Sequence, residues 1–159
     1  NEARNDLQEV VRLSPNSANA YVNLAKVAAR QNAGEAAGLY EKAVSIEPKN
    51  FDALTGLLGV YKGQNHFAAA HERVDRAIAE NAEQKNLLPA LYYLKADVFR
   101  AERNFAAAEA ELQKSFAADE NYLPAYSAYA ALLMEQNQTE RAVEQYRKII
   151  EKKPSAAVY

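Results

Sequence analysis

Residues 36–50 read AAGLYEKAVSIEPKN, and this stretch decides the fold. Ala36, Tyr40 and Ala43 are spaced by four and then three residues, which sets them on one face of a helix. Pro48 then ends the pattern, because it has no N–H to give and crowds the preceding turn. The same order recurs around two other prolines. Counting back five, eight and twelve residues from Pro15 meets Val10, Leu7 and Ala3, and from Pro154 it meets Ile149, Tyr146 and Ala142. The closing phrases are alike as well: VVRLSPN at 10–16, AVSIEPKN at 43–50 and IIEKKPS at 149–155.

Working outward, a second helical pattern precedes each of these. Tyr21, Leu24, Ala25 and Ala28 form one such set; Leu54, Leu57, Leu58 and Tyr61 another; Tyr92, Ala96 and Phe99 a third; Tyr126, Tyr129, Ala130 and Leu133 a fourth. The segments between the paired helices are QNAG (31–34), QNHF (64–67), ERNF (102–105) and QNQT (136–139). Asn32, Asn65 and Asn137 fall at matching places, and asparagine tolerates the left-handed backbone that ends many helices. The expectation is a tandem of helix pairs joined by tight turns.

A unit of about 34 residues carrying W-x2-L-G-x2-Y, then A-x3-F, then P is the tetratricopeptide signature, and the chain resembles that family throughout. On this resemblance residues 1–16 are the second helix of a truncated repeat, 18–50 a first full unit one residue short at its turn, and 51–88 a second with an insertion near 81–86. Residues 89–122 and 123–156 are the third and fourth units, and 157–159 begin a further helix. No unit has the tryptophan, the eighth-place glycine becomes Ala25, Leu58, Ala96 or Ala130, and Glu120 stands where the third proline belongs. The resemblance implies an all-α fold, a right-handed α-α superhelix or solenoid of helix-turn-helix repeats.

Composition narrows the chemistry. A net charge of −2 and a pI near 5.8 offer no global attraction for nucleic acid or an anionic membrane, which leaves room only for a local basic strip, and no nucleic-acid partner is expected. The absence of cysteine excludes disulfides and thiol catalysis, while leaving the compartment open. The longest uncharged apolar run, from Leu87 to Leu94, is far shorter than the ~20 residues of a bilayer span, so no membrane insertion is expected. His66 and His71 are five residues apart, about 140° around a helix, and read as solvent-facing polar residues without a metal role. Glu35, Glu109, Glu111, Glu140 and Glu144 read as a solvated face, no nucleophile elbow or phosphate loop is found, and no cofactor is expected.

Each glycine inside a helix costs about 0.8 to 1 kcal/mol relative to alanine, so Gly56, Gly59 and Gly63 on one first helix call for a reason. Either neighbouring helices pack closely there, or a ligand approaches the backbone. In the family the first helix of each unit lines a concave groove. The resemblance then maps Asn19, Val22, Asn23, Lys26 and Arg30 to the groove in the first unit, and Asp52, Thr55, Gly56, Gly59 and Lys62 in the second. Tyr93, Asp97 and Arg100 follow from the third unit, with Ser127, Ala131 and Glu135 from the fourth. Lys26, Arg30, Lys62 and Arg100 would make a cationic track for an acidic segment, unless they serve only solubility and the helix dipole. Tyr93 would be an aromatic anchor. The places of the family's chaperone-tail clamp hold Val22, Lys26 and Gly56, so that ligand is not expected.

The resemblance thus implies a protein-interaction scaffold or adaptor that binds a peptide or protein segment in its groove, and no enzyme. A structural or regulatory arm of a larger enzyme is the alternative. The chain starts at Asn1 and has no polar cap at either end, which reads as a piece of a longer array. Leu7, Val10, Val11 and Leu13 at one end, with Tyr146, Ile149 and Ile150 near the other, are expected to drive end-to-end self-association.

Overall fold

The computed structural model describes residues 2–152, and they form helices joined by short turns. In chain order these are α1 (Glu2–Leu13), α2 (Ala18–Ala28), α3 (Ala33–Ile46), α4 (Phe51–Gly63), α5 (Phe67–Glu80), α6 (Leu88–Ala101), α7 (Phe105–Ala118), α8 (Leu123–Glu135) and α9 (Thr139–Lys152). No strand occurs among the described residues. Pro154 and the further helix expected at 157–159 lie outside them.

Local chemistry explains where the helices start. Four free N–H groups open every helix and need acceptors. Ser17, Asn32, Asn50 and Asn104 each supply a side-chain oxygen, to the N–H of Ala20, Glu35, Ala53 and Ala107 respectively. Pro89 and Pro124 sit in the first turn of α6 and α8, where a missing N–H costs nothing.

The helix-to-helix turns show one departure from expectation. Asn65 (φ 57°) and Asn137 (φ 59°) are left-handed, and Arg103 (φ 64°) takes the same conformation in the third turn. In each case the next N–H reaches back five residues: His66 to Tyr61, Asn104 to Phe99 and Gln138 to Leu133, at 2.8–2.9 Å. Asn32 is instead extended (φ −147°) and caps α3, which makes Asn104 its counterpart. The first turn is one residue shorter and omits the left-handed position, so Asn32 N–H closes on Ala28 at 2.8 Å.

The chain divides into two compact units between Arg73 and Val74, a boundary that falls within α5. In the first unit α2 packs against α1, α3 and α4. Its core joins Ala18, Val22, Ala25, Tyr40, Ala43, Val44, Ala53 and Leu57. In the second unit α6 packs on α7 and α8, α7 on α8, and α8 on α9. Its core gathers Ala96, Ala108, Leu112, Ala125, Tyr129, Ala130, Leu132, Leu133 and Ala142. The alanines matter here, because a methyl side chain lets neighbouring helix backbones approach closely.

Burial corrects several readings of single residues. Val22, mapped to the groove, is only 2% exposed: it lies four residues from Ala18 and three from Ala25, on the packing face. Glu111 is buried too, between Lys95 (3.5 Å) and Lys114 (2.9 Å), and Lys95 also pairs with Asp75 at 2.7 Å. Burial alone would lower the Lys95 pKa, but the hydrogen bond to Asp75 and the nearby carboxylates raise it overall. His71 is half-buried on α5, whereas His66 is exposed in its turn. Tyr146, the repeat counterpart of buried Tyr40 and one of the apolar residues expected to lie uncovered, is 46% exposed.

Candidate functional site

The residues mapped to the groove fall on the first helix of each pair. On α2, Asn19, Asn23 and Lys26 are exposed, as is Arg30 just beyond its end. Asp52 and Thr55 are exposed on α4, where Lys62 is half-buried. Two contacts join these surfaces: Lys26 Nζ lies 3.2 Å from Asp52 Oδ2, and Asn50 Nδ2 donates to Asn19 Oδ1 at 3.2 Å. The first unit therefore offers a polar face shared by α2 and α4.

In the second unit Tyr93, Asp97 and Arg100 on α6 are half-buried, while Ser127 and Glu135 on α8 are exposed. Arg100 binds Asp97 on its own helix at 3.0 Å and Glu135 on α8 at 2.7 Å. Burial on its own would lower the Arg100 pKa, yet these hydrogen bonds and charges raise it, so the guanidinium stays charged. Two members of the expected cationic track, Lys26 and Arg100, thus have carboxylate partners of their own. Ion pairs this exposed contribute roughly 0–1 kcal/mol, so a stronger acidic ligand could still compete for them.

Tyr93 is partly withdrawn from the surface. Its ring meets Tyr122 edge-on, with centroids 6.1 Å apart and planes at 65°, and it packs against the core of the second unit. Burial pushes its phenol pKa up and the Asp97 charge adds to this, while Arg100 opposes it. The pattern Leu91, Leu94, Val98 is buried alongside, which leaves Tyr93 on the border between core and face.

The glycines of α4 separate into two kinds. A β-carbon on Gly56 would lie 2.3 Å from Tyr40 Cζ, whereas one on Gly59 or Gly63 would meet nothing within 4 Å. Close packing therefore explains Gly56, and leaves the other two unexplained. Sequence reasoning missed Tyr40 as a possible ligand contact because its spacing marks it as core, which it also is.

Among the described residues no group of three or more histidine, aspartate or glutamate side chains is arranged to hold a metal ion. No helix there is long and apolar enough to cross a membrane.

Family models described as tetratricopeptide repeat match residues 28–96, 99–159 and 1–53. None of the curated proteins matches the chain in sequence. Among solved structures, the thermophilic TPR protein TTC0263 of Thermus thermophilus superposes with a TM-score of 0.72 at 19% identity, over 94% of this chain and 80% of that one. MamA (41-end) of Desulfovibrio magneticus RS-1 gives 0.66 at 17% identity, over 98% and 86%. YrrB, described as a TPR protein with an unusual peptide-binding site, gives 0.58 at 19% identity, over 97% and 78%. At these identities the likeness is one of fold, an all-α helical repeat. With the family models spanning nearly the whole sequence and the helix pairs described above, the chain belongs to the tetratricopeptide repeat family.

Proposed function

We propose that this protein-interaction repeat scaffold holds a peptide or protein segment of a partner against first-helix faces: the first unit offers Asn19, Asn23, Lys26, Arg30, Asp52, Thr55 and Lys62 for this, and the second unit, taken by itself, offers Tyr93, Asp97, Arg100, Ser127 and Glu135. The observation that carries this reading is the polar face joined by Lys26–Asp52 and Asn50–Asn19. It presents donors and acceptors of both signs on two packed helices, a rigid support of the kind a binding surface needs. The repeating units in this reading are residues 18–50, 51–88, 89–122 and 123–156.

The reading favours a segment carrying both charges over a purely acidic one, because each paired cation brings its carboxylate with it. The peptide-binding site ascribed to YrrB, which shares the fold, supports peptide recognition as a use of this architecture in that protein. Selection of peptides from a random display library against the purified chain tests the proposal. Thr55→Arg and Asn23→Arg, at exposed first-helix positions, are expected to weaken the selected peptides at least about tenfold, the scale of a central interface contact. Lys42→Glu and Gln113→Glu, exposed on the second helices α3 and α7, are expected to leave affinity within about twofold, as for non-interface sites. Equal losses on both faces would refute first-helix binding.

A further inference from the structure

Gly59 and Gly63 border a cleft of about 360 Å³ in the first unit, walled by Ala29, Ala33 and Val60 and with Tyr40 among its lining residues. Gly56 and Gln64 complete it, so the lining is apolar apart from the Gln64 amide and the Tyr40 hydroxyl. Its volume is at the small end of ligand sites, which run roughly 300–1,000 Å³.

The second unit contains the same corner with a different filling. There Arg100 stands in place of Ala29, Leu112 in place of Tyr40, Ala128 in place of Gly56 and Leu132 in place of Val60, and the space shrinks to about 10 Å³. Glu135 takes the place of Gly63 at the last position of its helix, and its bond to Arg100 closes that corner at 2.7 Å. The first unit has Ala29 and Gly63 at these two positions, so its corner stays open. One architecture thus appears with the space filled and with the space left empty.

The second observation concerns Tyr40. Its side chain is only 4% exposed, yet among the described residues nothing hydrogen-bonds to its hydroxyl. By contrast, Tyr61 donates to Glu41 at 2.8 Å and Tyr126 to the Glu120 carbonyl at 2.9 Å. The Tyr40 oxygen itself keeps contact with solvent at the cleft, so an occupant that excluded water there would have to replace the hydrogen bond made to it. The Tyr40 hydroxyl would lie 2.8 Å from a β-carbon on Gly56, which sets it on the α4 wall of the cleft. Burial raises its pKa, Lys26 opposing and Asp52 reinforcing, so the phenol remains a donor at neutral pH.

We propose that the cleft seats one tyrosine or tryptophan side chain of a partner segment, its ring against Val60 and the open Gly59–Gly63 backbone and its polar edge bonded to the Tyr40 hydroxyl. An aliphatic side chain would fill the space but leave the hydroxyl without a partner. This deepens the first-helix reading above and rests on it for the partner segment, while the cleft itself can be probed alone.

The probe is N-acetyl-L-tryptophanamide, followed by amide NMR and by its own indole fluorescence, since the chain has no tryptophan. Saturable shifts at Gly59, Gly63 and Tyr40 are expected, with a dissociation constant on the order of a millimolar for so small a ligand. Gly59→Leu and Gly63→Leu should each weaken it at least about tenfold by filling the space, and Tyr40→Phe about fivefold, the worth of one hydrogen bond. Both leucine variants have room for their β-carbons, and a thermal melt confirms that they fold. N-acetyl-L-leucinamide should bind several-fold more weakly. Failure to saturate at the probe's solubility limit, equal binding by the leucine variants, or equal binding of leucinamide overturns the assignment. Should library-selected peptides bind wild type and Gly59→Leu alike, the first-helix reading stands and the cleft falls; loss of first-helix dependence with probe binding intact sinks the other instead.

Discussion

Gly56 and Gly59 are three residues apart on α4, yet alanine is expected to act on them with opposite sign. At Gly59 the new methyl meets open space and the helix loses an entropic penalty, so Gly59→Ala should stabilise by about 0.5–1 kcal/mol. At Gly56 it would intrude on a ring that is itself buried, and the forced shift of Tyr40 should cost about 1–3 kcal/mol. Urea unfolding of both variants checks this, with Gly38→Ala on α3 as a second open position expected to follow Gly59. Destabilisation by Gly59→Ala would show that its surroundings are tighter than they look. The same scale explains Asn32: its residue type suits both a left-handed turn and an N-cap, and the length of the turn selects the cap.

Between elements, recurrent tyrosine–glutamate bonds tie a second helix to the first helix that follows it. Tyr61 on α4 donates to Glu41 on α3, and Tyr129 on α8 donates to Glu109 on α7, which Arg141 of α9 also approaches. Burial, then the bond to the glutamate, pushes both phenols up to about 12. A tyrosine has a pKa of about 10 in an unfolded chain, so the folded state favours the protonated form. The stability linked to these groups is complete below pH about 10 and is lost as pH rises towards 12. Lys95, whose pKa is also raised, loses its contribution in the same direction. Thermal melts across pH 9–12 should fall steeply for wild type and less steeply for a Tyr61→Phe, Tyr129→Phe double variant. Parallel curves would deny the two bonds any role in alkaline unfolding.

At the scale of the molecule, each unit has a core of its own, and apolar side chains remain uncovered on α1 and α9. Val10 is 45% exposed, Leu13 66%, Val143 43% and Ile150 48%. Faces of this kind are what a stacking neighbour covers in repeat proteins, so the chain is expected to self-associate through them as concentration rises. Light scattering should show an apparent mass that grows with concentration, and Val10→Lys with Leu13→Lys should suppress it. A constant monomer mass up to millimolar protein would rule this out.

The tandem of helix pairs was legible in the chain itself, because spacings such as Ala36, Tyr40, Ala43 and the breaks at Pro15 and Pro48 are properties of single helices and their ends. Caps at Ser17 and Asn50 follow from the same local hydrogen bonding. What a side chain faces is another matter. Val22 and Asn23 are adjacent, yet one is core and the other surface; Glu111 looks like any solvated glutamate until Lys95 and Lys114 enclose it. The open corner beside Gly59 depends on Ala29, Tyr40 and Gly63, and its closed counterpart on Arg100, Leu112 and Glu135. Helical period and termini act over a few residues and so belong to the sequence alone. Whether a gap between three helices is filled depends on side chains brought together from distant positions, and only the tertiary structure decided that.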